Sequence, residues 1–264
     1  MAMDDDTPPA ADASFWSELR RFTPARIGLG RSGVALPTHE VLAFGWAHAR
    51  ARDAVHTPLD HETLERELRD AGFDVLQVGS CASDRATYLR RPDLGRQLDP
   101  QHDAALQRLP NVDIALVVGD GLSSLAVQRH AVPLLVALRD HLAVDLACSP
   151  VVVARQARVA IGDDIGERLR ARIVVVLIGE RPGLSSPDSL GIYLTHAPRR
   201  GRHDAERNCI SNVRPEGLPI RAAAHKLAWH IGQALQRGLT GVGLKDESDL
   251  ALPAGTTPAP LPPA

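Results

Sequence analysis

A run of six apolar residues, Ile173–Ile178, places the tightest constraint on how this chain folds. All but Leu177 are β-branched, and Gly179 ends the run. An uninterrupted stretch of this kind is typical of a parallel strand that is buried on both faces of a sheet. Two charged residues, Glu180 and Arg181, follow it. Because open α/β sheets bind ligands at the carboxyl ends of their strands, we expect chemistry near this pair.

The remainder of the chain supports an α/β fold. Short β-branched runs alternate with helical windows from residue 73 onward, which predicts a parallel sheet covered by helices. A helical segment, residues 14–72, precedes this region. The predicted strands are 73–78, 112–118, 150–154, 173–178 and 190–195. The predicted helices are 14–22, 38–56, one after Asp60, one that begins near Ser123, one from Pro133 to about Leu146, one that begins near Gly162, and Pro219–Arg237.

Composition excludes several classes of protein. The net charge of −2 leaves no overall basic field for nucleic acid or an anionic membrane surface. Three cysteines, Cys81, Cys148 and Cys209, are far apart and odd in number, which fits a reducing compartment. No charged-then-apolar leader and no long apolar run is present, so we expect a cytosolic protein. Residues 1–13 are acidic and rich in Pro and Ala, and residues 246–264 are rich in Pro; we expect both to be disordered.

Polar residues end three of the predicted strands, at Ser80–Cys81, at Asp120 with Ser123–Ser124, and at Glu180–Arg181. In a doubly wound sheet these positions converge on one rim and form a ligand crevice. The alternative is that they cap helices and finish turns, for which Asp and Ser are well suited. For Glu180 the corresponding alternative is a salt bridge to Arg181 or to another surface arginine. The residues alone leave both interpretations open.

Two further motifs point only weakly to chemistry. Residues Gly28–Gly33 have the spacing G-x-G-x-x-G, but neither a strand before them nor a helix inside them is predicted, so a tight structural or partner-binding loop is favoured over a dinucleotide site. Cys209 lacks a histidine in an obvious base position and is expected to be a small apolar residue rather than a nucleophile. His39, His48 and His56 lack the spacing of zinc ligands.

Five motifs together resemble a known family. They are, in order, Arg26–Gly33, Ala51–His56, Val118–Ser124, Ile178–Leu184 and Asn208–Asn212, and they resemble the small (light) subunit of ethanolamine ammonia-lyase over about residues 15–240. The resemblance implies an adenosylcobalamin-dependent carbon–nitrogen lyase that converts ethanolamine to acetaldehyde and ammonia. It implies a hetero-oligomer with equal numbers of large and small subunits. The large subunit would be a TIM barrel that holds the substrate, and residues 73–245 here a Rossmann-like domain.

The same resemblance implies the role of individual residues. The family's cobalamin contacts correspond to Val159, Glu180 and Cys209 of this chain, with no catalytic residue and no metal ligand. Their chemistry suits a corrinoid, because Val159 offers an apolar contact, Glu180 accepts hydrogen bonds from amides and a small Cys209 leaves room. The resemblance leaves open whether the complex enters a bacterial microcompartment.

The expected binding mode rests on a missing motif. The sequence lacks the D-x-H-x-x-G pattern through which many proteins place a histidine on cobalt; Asp99-Pro100-Gln101-His102 only approximates it. Cobalamin is therefore expected to keep its own base on the metal, as the resemblance also implies. Two other functions stay open. One is a stand-alone nicotinamide-dependent oxidoreductase that uses Gly28–Gly33, and the other is a scaffold that shapes a partner and touches no ligand.

Overall fold

The computed structural model describes residues 13–142 and 149–251, and the structural statements below concern these residues. The helices are α1 (Ala13–Arg20), α2 (Thr38–His56), α3 (His61–Asp70), α4 (Arg85–Arg90), α5 (Asp103–Gln107), α6 (Ser124–Arg139), α7 (Ile161–Arg168) and α8 (Ile220–Arg237). The Asp60 carboxylate accepts a hydrogen bond from the Thr63 amide at 3.0 Å and so caps α3. Gly238, with φ near 70°, ends α8 in the left-handed conformation.

Within the described residues, six strands form one mixed sheet in the order β1-β3-β2-β4-β5-β6. They are β1 (Val75–Gly79), β2 (Ile114–Gly119), β3 (Val151–Arg155), β4 (Ile173–Gly179), β5 (Leu190–His196) and β6 (Arg207–Val213). The first four strands in this order pair in parallel, whereas β5 is antiparallel to both β4 and β6. The α/β class is confirmed, but the prediction of a wholly parallel sheet is wrong; "Rossmann-like" stays a prediction.

The reason for the mixed sheet lies in the connection after β4. Ten residues, 180–189, join β4 to β5. They contain no helix, so the chain turns back beside β4 instead of crossing over. Gly179 therefore pairs with Leu190, and Ile173 with His196. As a result β5 begins, and β6 ends, at the edge of the sheet where the four parallel strands end.

The sheet is covered on both faces, and β4 lies at its centre. Helices α3, α6 and α8 pack on one face, and α5 and α7 pack on the other, which we call the α7 face. Every residue of β4 is buried. Its side chains alternate, with Val175 among those in the first core and Val176 among those in the second. The strand predicted from the apolar run is therefore confirmed.

Two predicted helices are in fact one. The sequence predicts one helix near Ser123 and a second from Pro133, because proline disfavours helix interiors. Instead α6 runs continuously through Pro133 and ends at Arg139. Burial of both halves of α6 against the sheet and α8 keeps it helical across the proline. The predicted end near Leu146 lies outside the described residues, as do residues 1–12 and 252–264 of the predicted disordered ends.

Within residues 13–142 and 149–251, no helix combines the length and the apolar character needed to cross a membrane.

Candidate functional site

The predicted rim is divided into two sites. The carboxyl ends of β1, β3, β2 and β4 lie at one edge of the sheet, as the parallel pairing requires. Ser80 and Asp120 line a cavity at this edge, on the side of β1, β3 and β2. Glu180 follows β4 and does not line that cavity; its side chain lies beside β5 and β6. The polar strand ends therefore share one edge without converging on one crevice.

The cavity, of about 630 Å³, lies where the sheet connections diverge. After β2 the chain crosses to the face of α6, and after β3 it crosses to the α7 face. Adjacent strands whose connections leave in opposite directions form the usual ligand crevice of an open sheet. The cavity is lined, among others, by His56, His61, Ser80, Arg85, His102 and Arg155.

Asp120 has a structural role at the floor of this cavity. Its carboxylate accepts hydrogen bonds from the amides of Gly121, Gln156 and Ala157 at 2.8–3.0 Å and lies 3.7 Å from the Arg85 guanidinium. Burial raises the pKa of Asp120, although these hydrogen bonds and Arg85 oppose the shift. The carboxylate thereby joins the end of β2 to the end of β3.

The two serines after β2 are structural as well. Ser123 caps α6 through the Ala126 amide at 3.3 Å, and its hydroxyl donates to the Pro187 carbonyl at 2.7 Å. The Ser124 hydroxyl donates to the Thr57 carbonyl at 2.5 Å. For these residues the interpretation as caps and turn residues is supported.

Glu180 joins three strands. Its backbone amide donates to the Ser189 carbonyl at 3.0 Å. Carboxylate oxygen Oε2 accepts hydrogen bonds from the Ser189 hydroxyl and, at 3.2 Å, from the Asn212 amide. Among the described residues the carboxylate has these two donors and no ion pair, and Arg181 is exposed, so the salt-bridge alternative gains no support. Glu180 is thus anchored where β4 ends, β5 begins and β6 ends.

The Glu180 side chain borders an open part of the sheet. A Cβ atom at Gly191 would lie 3.1 Å from Glu180 Cγ and 3.2 Å from Tyr193 Cε2, so glycine is what lets Glu180 lie across β5. Tyr193, half-buried on the α7 face, pairs across the strands with the exposed Cys209. We call Glu180, Gly191, Tyr193 and Cys209 the open strip.

The sulfur in the open strip is a poor nucleophile. Desolvation raises the pKa of the Cys209 thiol, and the neighbouring Glu180 charge raises it further; the Tyr193 hydroxyl, within hydrogen-bond reach, partly opposes the shift. Desolvation likewise raises the pKa of Tyr193. Both groups are therefore neutral near pH 7. The strip offers hydrogen-bonding groups and a small thiol rather than an activated base or thiolate.

Val159 lies on the same side of the sheet as the open strip. It is half-buried just before α7 and packs against the core of the α7 face. Gly162 lets α7 approach β4 closely, since a Cβ there would lie 2.4 Å from Val176 Cγ2. The structure therefore places Val159, Glu180 and Cys209 on one face.

A buried ion pair fixes β6 to α7. The Arg207 guanidinium donates to both carboxylate oxygens of Asp163 at 2.6 and 2.7 Å and to the Thr195 hydroxyl at 3.0 Å. Sequence reasoning missed this pair, and also Gly191 and Tyr193. The ion pair has no local sequence signal, because its partners are 44 residues apart. For Gly191 and Tyr193 the sequence does offer a signal, because a glycine followed two residues later by a tyrosine in an otherwise apolar strand indicates an open, polar patch.

The glycine-rich loop does not form a dinucleotide site. Gly28, Gly30 and Gly33 have φ values of 56°, 75° and 64°, so each adopts a left-handed conformation that favours glycine. No strand precedes Gly28 in the part of the chain that the structure describes, and the next helix begins only at Thr38. The nicotinamide alternative thereby loses its support. The described residues also contain no group of three or more metal-ligating side chains.

Fold and site together define a class: an α/β protein that presents a cavity and an open strip at the polar edge of a mixed sheet. Comparison with known proteins gives the family. The profile of the ethanolamine ammonia-lyase light chain matches residues 13–245. Ethanolamine ammonia-lyase small subunits from Ralstonia nicotianae and Azotobacter vinelandii are each 54% identical to this chain, over 94% and 93% of both proteins respectively. That of Pseudomonas aeruginosa strain UCBPP-PA14 is 53% identical over 97% of this chain and 96% of its own length.

The chain therefore belongs to the ethanolamine ammonia-lyase small-subunit family, which confirms the resemblance seen in its motifs.

Proposed function

We propose that this chain holds adenosylcobalamin against a large catalytic subunit in an ethanolamine ammonia-lyase that converts ethanolamine to acetaldehyde and ammonia. Family membership supports the lyase complex, because the relatives are named small subunits and a small subunit implies a larger partner. The observation that carries the cofactor role is the open strip, where the half-buried, anchored Glu180 and the exposed Cys209 lie on one face of the sheet.

The residues of the α7 face fit a corrinoid. Glu180 Oε2 is occupied by two donors, whereas Oε1 receives no hydrogen bond from the described residues and is free to accept one from a corrinoid amide. The exposed Cys209 is small enough to permit close approach, and Val159 supplies an apolar contact. A few fixed polar groups beside apolar surface are typical of cofactor sites.

In this proposal the chain binds and orients the cofactor and shields it from water. When bound, adenosylcobalamin supplies the radical chemistry, and the large subunit supplies the substrate site. Anchoring by Ser189 and Asn212 holds Glu180 in place before the ligand arrives, which lowers the ordering cost of binding. The Arg207–Asp163 pair keeps the strand of Cys209 fixed against α7. No proton transfer is assigned to these residues.

We further propose that cobalamin keeps its own base on cobalt and that the two subunits assemble in equal numbers. The segment that most resembles a cobalt-ligating histidine motif ends at His102, which lines the cavity. His102 lies beside Gly79, since a Cβ added at Gly79 would be 3.6 Å from His102 Nε2. His102 therefore lies at the β1 side of the sheet, away from the open strip at β4–β6. This separation supports the base-on mode.

Reconstitution tests the proposal. The large subunit, this chain and their mixture are each assayed for ethanolamine turnover with saturating adenosylcobalamin. We expect turnover only from the mixture. Equal turnover by the large subunit alone would refute the proposal. The scaffold alternative predicts that turnover requires this chain but that changes at Glu180 and Cys209 leave cofactor affinity unchanged.

A further inference from the structure

Helix α2 buries small apolar residues and exposes large ones. Ala47 and Ala54 are buried against the body of the protein. Leu42 and Trp46 lie roughly 80–140° around the helix from these alanines, and each exposes 68% of its surface. The side that faces solvent therefore carries the larger apolar residues, which is the reverse of an ordinary surface helix.

The exposed apolar surface continues beyond α2. Val41, the residue before Leu42, is exposed, and so are Val34 and Leu36 in the segment before the helix. We call Val34, Leu36, Val41, Leu42 and Trp46 the N-terminal apolar face. Single exposed apolar residues are ordinary, but six large ones within 13 positions, these five and Phe44, mark an interaction surface.

The glycine-rich loop holds the segment beside this face in position. Gly28 packs against Trp16 of α1, and a Cβ there would lie 2.3 Å from the indole ring. Arg20 of α1 donates to the Ile27 carbonyl at 2.9 Å. At Gly30 and Gly33, by contrast, an added Cβ would meet no atom of the described residues within 4 Å. The motif thus fixes α1 to the loop and leaves the loop surface accessible.

Charge around the face selects the kind of occupant. Residues 13–57 contain six arginines and three acidic residues, a net charge of +3, although the whole chain carries −2. The arginines are Arg20, Arg21, Arg26, Arg31, Arg50 and Arg52, and all are exposed. In a symmetric contact with a second copy, the positive charges of this region would lie opposite one another. An apolar partner surface edged by carboxylates is complementary instead.

We propose that the N-terminal apolar face docks the large subunit, on an apolar surface edged by carboxylates. This inference rests on the proposed function, because it takes the large subunit as the partner. Continuity of the surface supports the choice: α2 ends at His56, which lines the cavity at the polar edge of the sheet. A partner that covers α2 as far as His56 would border this edge, which also carries Glu180.

The test is a double substitution, Leu42→Asp with Trp46→Asp. Because both side chains are exposed, the melting temperature of the free chain should change little. Val242→Asp is the matched control, since Val242 is 83% exposed but lies outside the face. We expect the double variant to bind the large subunit at least about thirty-fold more weakly, as for the loss of a tryptophan hot spot, and the control to bind within about twofold of wild type. Analytical ultracentrifugation gives both affinities.

A second measurement covers a variant that fails to fold. In the wild-type chain, amide hydrogen exchange of residues 38–56 should slow when the large subunit binds. Unchanged exchange, or wild-type affinity of the folded double variant, would overturn the inference. Self-association of the free chain that the double variant abolishes, with normal large-subunit binding, would assign the face to a second copy and also overturn it. Failure of the wild-type chain to bind the large subunit would instead refute the proposed function.

Discussion

Substitution of Glu180 by glutamine should weaken cobalamin binding without weakening the fold. Oε2 of Glu180 accepts from the Ser189 hydroxyl and the Asn212 amide, and a glutamine carbonyl oxygen can accept both. The glutamine NH₂ group then takes the place of Oε1. A hydrogen-bond acceptor that faces the ligand thereby becomes a donor, while the links among β4, β5 and β6 remain.

The expected magnitude follows from one hydrogen bond to a charged group. Such a bond contributes about 1–3 kcal/mol, which corresponds to a roughly 5- to 150-fold rise in the dissociation constant of adenosylcobalamin. Glu180→Ala should weaken binding by a similar factor. It should also lower the free energy of unfolding by about 1–2 kcal/mol, because the bonds from Ser189 and Asn212 are lost as well.

Equilibrium binding of adenosylcobalamin to the complex with the large subunit measures the first effect, and urea unfolding of the free chain measures the second. Glu216→Gln is the control, because Glu216 is an exposed carboxylate outside the open strip. Binding of the cofactor by both Glu180 variants as tightly as by wild type would show that Glu180 only ties strands together.

Three further predictions concern other parts of the chain. Cys209→Ala should keep turnover in the complex, because the thiol is not an activated nucleophile. Cys209→Phe, by contrast, should weaken cobalamin binding and leave the melting temperature unchanged. Loss of turnover in the alanine variant would assign the thiol a chemical role. Burial and the Arg155 charge lower the pKa of His61 from 6.5 to about 4, so the unfolded chain binds a proton at this imidazole more readily than the folded chain does. Stability should therefore fall, by at most about 3 kcal/mol, as the pH drops from 6.5 to about 4. His61→Gln should flatten this part of the pH profile of urea unfolding, and an unchanged profile would contradict the assignment. Gly179→Ala places a Cβ 1.9 Å from the Ser123 carbonyl oxygen and should lower the free energy of unfolding by roughly 3 kcal/mol. Gly232 lies in α8 with no described atom near an added Cβ, so Gly232→Ala should raise the free energy of unfolding by about 0.5–1 kcal/mol. Equal melting temperatures of the two variants would contradict this difference.

Central strands are predictable from the sequence because burial on both faces leaves a local record. Ile173–Ile178 carries no polar residue, and β4 is buried at every position. Strand β6 was not predicted. It lies at the edge of the sheet, and exposed Cys209, Ser211 and Asn212 interrupt its few buried positions, so its pairing with β5 is visible only in three dimensions.

The residues of the candidate site are predictable from the sequence, but their arrangement is not. A wholly parallel sheet would bring the polar residues at its strand ends together at one crevice. The antiparallel return of β5 brings Ser189 and Asn212 to Glu180 and separates it from the cavity of Asp120. A return of this kind depends on long-range pairing, which no local pattern in the sequence records.

The exposed side of α2 shows the same limit from the other direction. Leu42 and Trp46 fall near one face of a predicted helix, which is ordinarily the side that packs on the core. In the structure that side faces solvent, and the small residues Ala47 and Ala54 make the core contact. Periodicity reports that a helix has an apolar side but not whether the same chain or a partner covers it.

The affinity of the large subunit for adenosylcobalamin, measured at equilibrium with and without this chain, tests the central claim most directly. If Val159, Glu180 and Cys209 hold the cofactor at the interface, wild-type chain should lower the dissociation constant at least about tenfold, and Glu180→Gln chain should recover only part of that gain. The same dissociation constant in the presence and absence of wild-type chain would contradict the account.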